Sequence, residues 1–174
     1  MNQRQRLVVT GANGFVGQAL CAGAGAHGFA VCGITRSTCD LPSGSEGFVV
    51  GNIDDCTDWR VALAGSNVVI HLAARVHGRA DTAENPLDEF RHINVLGTLN
   101  LARQAASAGV RRFVFISSVK VNGEATQPEH PFVVDDAPAP LDAYGISKME
   151  AEQGLREIAA QTGMEVVIIR PPLV

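Results

Sequence analysis

Apolar positions along the chain fall into short unbroken runs separated by longer stretches of helical spacing. Residues 6–10, with Leu7, Val8 and Val9 in succession before a glycine cluster, have the pattern of a strand buried on both faces of a parallel sheet. From Phe15 to about His27 small and apolar residues continue at helical spacing, and Gly28 supplies a stop. Residues 29–35 predict a second strand, 48–50 a third after a polar loop, and 67–71 a fourth. Asp55 is expected to N-cap a helix reaching about Ala64, with Trp59 in its apolar stretch as a packing residue. Residues 85–108 give the longest helical pattern, with Phe90, Ile93, Leu96, Leu99 and Leu101 for a buried face and Gly109 at the end. A fifth strand at 112–116, a helix over 142–161 and a sixth strand at 165–169 complete the series. Strands alternating with helices imply right-handed crossovers and an α/β fold, a doubly wound parallel sheet with helices on both faces. No interdomain linker interrupts the chain, so residues 1–174 read as one domain of this fold; the loop 124–140, with four prolines, is long enough to suggest a function.

Composition narrows the partners. The 174 residues are 46% hydrophobic and 18% charged, which is ordinary globular usage. The net charge of -4 and the lack of a basic cluster argue against nucleic acid. No apolar run is long enough to span a bilayer or to serve as a signal-peptide core, and the protein is read as cytoplasmic and not membrane-bound. Cys21, Cys32, Cys39 and Cys56 lack paired spacing and read as reduced, structural thiols. His27, His71, His77, His92 and His130 have no metal-binding spacing, so no metal is expected, and Asp135-Asp136 reads as a solvated loop.

Gly11, Gly14 and Gly17 recur every three residues between the first strand and the first helix. There a backbone must approach a pyrophosphate and a helix N-terminus must face its charge, and side chains would obstruct both. The expected cofactor is therefore NAD or NADP. An acidic residue at the end of the second strand would select NAD, but that strand ends Thr35-Arg36-Ser37. Arg36 either holds a 2'-phosphate, which favours NADP modestly, or stacks on adenine or points into solvent. Tyr144 and Lys148 stand one helical turn apart, a spacing suited to acid-base chemistry. A free tyrosine titrates near pH ~10, so bringing it to about 7 requires stabilising the phenolate by roughly 4 kcal/mol. A nearby lysine and a cationic nicotinamide can supply that together. Ser118, after the fifth strand, can donate to the same substrate oxygen, and Tyr144 is the only tyrosine of the chain.

These motifs, with His71-Leu72-Ala73-Ala74, Asn94-Val95-Leu96-Gly97-Thr98, Ser117-Ser118 and Arg170-Pro171-Pro172, resemble the extended short-chain dehydrogenase/reductase family, in its nucleotide-sugar epimerase, dehydratase and reductase branch. The resemblance implies that Tyr144 is the acid-base, that Lys148 binds the nicotinamide ribose and lowers the tyrosine pKa, that Ser118 orients the reacting hydroxyl or ketone, and that Asn94 organises the site. It also implies a cofactor site built from Gly11, Asn13, Gly14, Phe15, Val16, Gly17, Arg36, Asn52, Ile53, Leu72, Ala73, Ala74 and Lys148.

Three departures from the family pattern bear on function. Asn52 stands where a carboxylate usually meets the adenine amino group, and its amide oxygen can still accept that bond. Asn122 replaces a frequent tyrosine, losing an aromatic contact. Ser118-Val119-Lys120 replaces the dehydratase Thr-Asp-Glu, which disfavours dehydration. Members of the family continue well beyond the Arg-Pro motif into a substrate subdomain, so the chain is expected to lack most of that part, to expose apolar surface and to be inactive alone. The implied activity is epimerisation or 4-keto reduction of a nucleotide-diphosphate sugar, in a homodimer built through the helices near 85–108 and 142–161. A hydroxysteroid or flavonoid-type NADPH reductase and a non-catalytic nucleotide-sensing domain are the alternatives.

Overall fold

The computed structural model describes residues 4–76, 86–126 and 128–172. Six strands, β1 (Arg6–Thr10), β2 (Ala30–Thr35), β3 (Ser45–Val49), β4 (Val68–His71), β5 (Arg112–Ile116) and β6 (Glu165–Ile169), form one sheet in the order β3-β2-β1-β4-β5-β6. Every pairing is parallel, with Val9 opposite both Gly33 and Ile70. The order reverses direction between β1 and β4, and a crevice opens beyond the C-terminal ends of those strands.

Side-chain alternation explains the layers. Val8 on β1 joins Cys32, Val69, Phe113 and Phe115 beneath α2 (Arg60–Leu63), α4 (Thr98–Ser107) and α5 (Ala143–Thr162), whose Leu63, Leu101, Leu155 and Ile158 close the larger core. Leu7, Val9 and Val31 point to the opposite face, against Cys21 and Leu20 of α1 (Phe15–Ala26). Burying each large aliphatic side chain stabilises the fold by roughly 1.5 to 3 kcal/mol. The second face is less covered toward β6, where Val167 and Ile169 are 40% and 45% exposed. Among the described residues no helix is long and apolar enough to cross a membrane.

Three sequence expectations need correction. The helix expected behind Asp55 starts only at Arg60: the Asp54 carboxylate accepts from the Cys56 amide and the Thr57 hydroxyl, holding the chain in a turn, and Asp58 accepts from the Arg60 amide. Trp59 stands just before that helix and is fully buried, its amide donating to Gln104. The long helix is not one regular element; it comprises α3 (Pro86–Phe90), a π-helical segment (Arg91–Gly97) and α4, and residue 85 lies outside the described residues. The wider π turns change which residues share a face, so Phe90 and Leu101 are buried while Leu96 is 44% exposed. The four cysteines are free, but only Cys21 and Cys32 are buried; Cys39 and Cys56 lie on the surface, where they pack no core.

Candidate active site

The loop from β1 into α1 is shaped by what its glycines leave out. Gly11 has φ +68°, and a Cβ there would lie 2.9 Å from the Ala73 amide nitrogen. A Cβ on Gly17 would collide with the carbonyl oxygen of Gly11 and stand 2.8 Å from Ala12 Cα, so α1 can begin this close to the strand only with glycine at that position. Gly14, extended at the N-cap, provides no side-chain cap, which leaves first-turn amides of α1 directed outward. Beside this loop lies a cleft of about 420 Å³, lined by Gly11, Asn13, Gly14, Arg36, Asn52, Ile53, Leu72, Ala73 and Ala74, together with Ile93 and neighbouring backbone. An elongated ligand with a pyrophosphate fits this donor set: small residues where the backbone approaches, free amides at a helix N-terminus, and a guanidinium at the end of β2. Gly17 is buried as packing, and Phe15 and Val16, 85% and 43% exposed on the first turn of α1, stand outside the cleft lining.

The floor of the cleft is held by a buried chain of hydrogen bonds. His71 Nδ1 lies 2.6 Å from Thr10 Oγ1, and His71 Nε2 lies 2.9 Å from Thr98 Oγ1. The Thr10 hydroxyl oxygen already accepts from the Leu72 and Ala73 amides, so its proton goes to Nδ1 and the imidazole carries its own proton on Nε2, which donates to Thr98. Burial, with the Lys148 charge nearby, pushes the His71 pKa down to about 3, and the ring is neutral. Asn94, in the π segment, clasps the backbone of Arg75 through both amide atoms, at 2.8 and 3.0 Å, and donates to Ser147 Oγ at 3.0 Å. A Cβ on Gly97 would come within 2.9 Å of Ile53. Asn94, Gly97 and Thr98 thus fasten two cleft-lining segments, the stretch 71–75 and the one bearing Ile53, to one helical turn, a role that spacing alone did not reveal.

On the other side of that turn stands α5. Asp142 caps it by accepting from the Gly145 amide at 2.6 Å, and Gly163, at φ +75°, ends it. Lys148 is 2% exposed; its ammonium donates to the Ile116 carbonyl at 2.8 Å and lies 4.5 Å from the Phe115 ring centroid and 5.8 Å from that of Tyr144. Ser118 caps the short turn Val119–Val121, accepting from the Lys120 amide. Burial raises the Tyr144 pKa, with Asp142 adding to the rise and Lys120 opposing it, so the phenol is held protonated. Lys148 itself is pushed down to about 7 by burial, against which Glu152 acts.

Sequence reasoning missed several residues here. Lys120 bonds Asp142 at 2.5 Å and ties the strand-end turn to the start of α5. Glu152, fully buried, accepts from Ser117 and from Arg170, while Asn122 is buried and accepts from Arg170 at 3.1 Å. The signals were a glutamate one turn beyond Lys148 and the Arg170-Pro171-Pro172 motif. Of the histidines, His27, His92 and His130 are exposed and His77 lies outside the described residues. Asp135 is exposed, and Asp136 closes a loop turn by accepting from the Val133 amide. Asp54, Asp55 and Cys56, on the turn before α2, bring ligand atoms within 4.8 Å of one another and are not among the residues that line the cleft.

A glycine-lined crevice at the switch point of a 3-2-1-4-5-6 parallel sheet defines a dinucleotide-binding domain of the Rossmann type. The chain belongs to the NAD dependent epimerase/dehydratase family, whose profile matches residues 7–174. It is 44% identical over 169 residues to the UDP-glucose 4-epimerase of Vibrio cholerae, covering 97% of this chain and 51% of that protein. Among solved structures, a short-chain dehydrogenase/reductase superfamily protein from Agrobacterium tumefaciens with bound NAD superposes with a TM-score of 0.82 at 34% identity, over 95% of this chain and 48% of that one. MoeE5 in complex with UDP-glucose and NAD superposes with a TM-score of 0.78 at 32% identity, over 94% and 52%. The chain therefore spans about half the length of the proteins it matches.

Proposed function

We propose that the chain is the cofactor-binding half of an NAD(P)-dependent epimerase acting on a nucleotide-diphosphate sugar. The observation that carries this reading is the pairing of Tyr144 and Lys148 on α5, with the ammonium 5.8 Å from the phenol ring centroid and bonded to the Ile116 carbonyl two residues before Ser118, in a chain that also has a glycine-lined cleft and is 44% identical to a UDP-glucose 4-epimerase. Gly11, Asn13, Gly14 and the first turn of α1 hold the pyrophosphate, Asn52 and Ile53 line the adenine end, and Leu72, Ala73 and Ala74 form the floor. Phe15 and Val16, exposed at the start of α1, cover the ligand from outside. The nicotinamide, when bound, supplies the hydride acceptor and donor.

The residues of the chain manage the proton. As the phenolate, which the Lys148 ammonium and a bound cationic nicotinamide would stabilise together, Tyr144 takes the proton of a sugar hydroxyl as it becomes a ketone and gives it back on reduction, and the Ser118 hydroxyl donates to the same oxygen. Lys148 holds the nicotinamide ribose and sets positive charge beside the phenol. Asn94 keeps the turn behind them in register. Selection of the sugar falls to the length that the relatives have beyond this chain, and assembly as a homodimer through α4 and α5 follows the family resemblance.

A second reading has one specific observation in its favour: Arg36 lines the cleft at the end of β2, where a 2'-phosphate would lie, and this points to a 4-keto reductase that consumes NADPH. The deciding measurement identifies any nucleotide released on denaturing the purified protein and then titrates the emptied protein with NAD and NADP. Retained NAD supports the epimerase and an exchangeable NADP the reductase; binding of neither rejects a working nucleotide site in this chain.

A further inference from the structure

Glu152 is the most deeply buried carboxylate described, at 0% exposed, and it sits one helical turn beyond Lys148 on α5. Its Oε1 accepts from Ser117 Oγ at 2.6 Å and from Arg170 Nε at 2.8 Å. Its Oε2 accepts from Arg170 at 2.6 Å and from Arg156 at 3.1 Å. Desolvating such a group is expensive, and apolar residues of the same volume often serve stability as well or better. A purely structural account therefore leaves the charge unexplained.

The position of the contacts explains it. Ser117 lies between Ile116, whose carbonyl accepts from the Lys148 ammonium, and Ser118. Arg170 comes from the segment after β6, whose Ile169 carbonyl accepts from the Ser117 amide at 2.7 Å. One carboxylate thus grips the strand end that bears Ser118 and the acceptor of Lys148, and it does so from the helix that bears Tyr144 and Lys148. We infer that Glu152 is a positioning residue for Ser118, Tyr144 and Lys148: held by Ser117, Arg170 and Arg156, it locks the end of β5 to α5 and balances the buried ammonium of Lys148. The inference rests on the function proposed above for those three residues.

The charged and titratable groups around Lys148 are few. Tyr144 and Glu152 face it from α5, His71 faces it from β4 as a neutral ring, and the faces from β5 are the Phe115 ring and a backbone carbonyl. Glu152 is thus the negative charge that favours the ammonium, and burial opposes it. Burial also pulls the Glu152 carboxyl up, but the bonds from Arg170 and Ser117 outweigh this and keep it ionised.

The test is the titration of the Lys148 ammonium, followed by nitrogen NMR of 15N-lysine-labelled protein without cofactor, with NAD and NADP affinity measured alongside. In Glu152→Gln the Lys148 midpoint should fall below the starting value near 7, and cofactor affinity at pH 8 should weaken several-fold while pH 6 changes less. Glu152→Asp should restore part of both. Because Glu152→Gln leaves Arg170 buried with half its partner and can fail to fold, the pair Glu152→Leu with Arg170→Met keeps the volume apolar and removes the charge. A folded double variant with a lowered Lys148 midpoint supports the inference. An unchanged midpoint in a folded Glu152→Gln or double variant overturns it. Wild-type protein that binds neither NAD nor NADP would reject the functional reading, while the Lys148 titration would still decide the role of Glu152.

Discussion

The cleft and the corner beside it are built on opposite principles. The cleft is made of omissions: three glycines and a row of small residues bring backbone up to the ligand, and its recognition groups are amides and one exposed arginine. The corner at the N-terminal half of α5 is made of insertions: a buried lysine, a buried glutamate paired to Arg170, and a phenol whose pKa is raised by its surroundings. Binding a polyphosphate needs close approach, which only the absence of side chains permits. Moving a proton needs charges held where water cannot relax around them, which only burial permits.

The sharpest way to separate the two regions is Tyr144→Phe. In a protein extended through the substrate part that the relatives have, turnover should fall by about 100- to 10,000-fold, whereas NAD or NADP affinity stays close to wild type in a parallel titration. Equal loss of both would mean that the corner belongs to the binding site. The converse variant, Gly17→Val, forces a side chain against the carbonyl of Gly11 and should cost about 1 to 3 kcal/mol of strain. Cofactor affinity should drop by about ten- to a hundredfold, readable by calorimetry, with the Lys148 titration unmoved. Smaller still is Arg36→Asp, which should shift the NADPH to NADH affinity ratio by about tenfold toward NADH; an unchanged ratio would return Arg36 to the solvent.

The last test reads stability instead of affinity and concerns the joint between the regions, His71. Its pKa is about 3 in the folded chain against an ordinary 6.5, so between those values the unfolded chain binds the extra proton and stability falls as pH falls. A single such group contributes a slope of at most about 1.4 kcal/mol per pH unit. The check compares melting temperatures of wild type and His71→Gln from pH 7 to 4: the gap should narrow toward acid, since only the wild type loses this contribution.

How much was legible beforehand follows the same division. The extents of β5 and β6 and the glycine stops of α1 and α4 were readable, because apolar runs and positive-φ glycines are local requirements. The start of α2 was misplaced because Asp54, Asp55 and Asp58 are all good caps, and burial of Trp59 against α4 decides among them. The π segment was invisible: its sequence, Arg91 to Gly97, has ordinary helical character, and its geometry is set by Asn94 reaching Arg75 and Ser147 and by Ile53 pressing on Gly97.

The sequence by itself determined the alternation of strands and helices, the glycine turn, and the pairing of Tyr144 with Lys148, since each depends on residues within a turn or two of one another. Tertiary structure alone decided that Asn122 answers Arg170, that His71 bridges two threonines on different elements, and that Glu152 lies beneath Ser117. Those partners are separated by 27 to 61 residues, and a polar group shows its purpose only when burial removes water as its alternative partner.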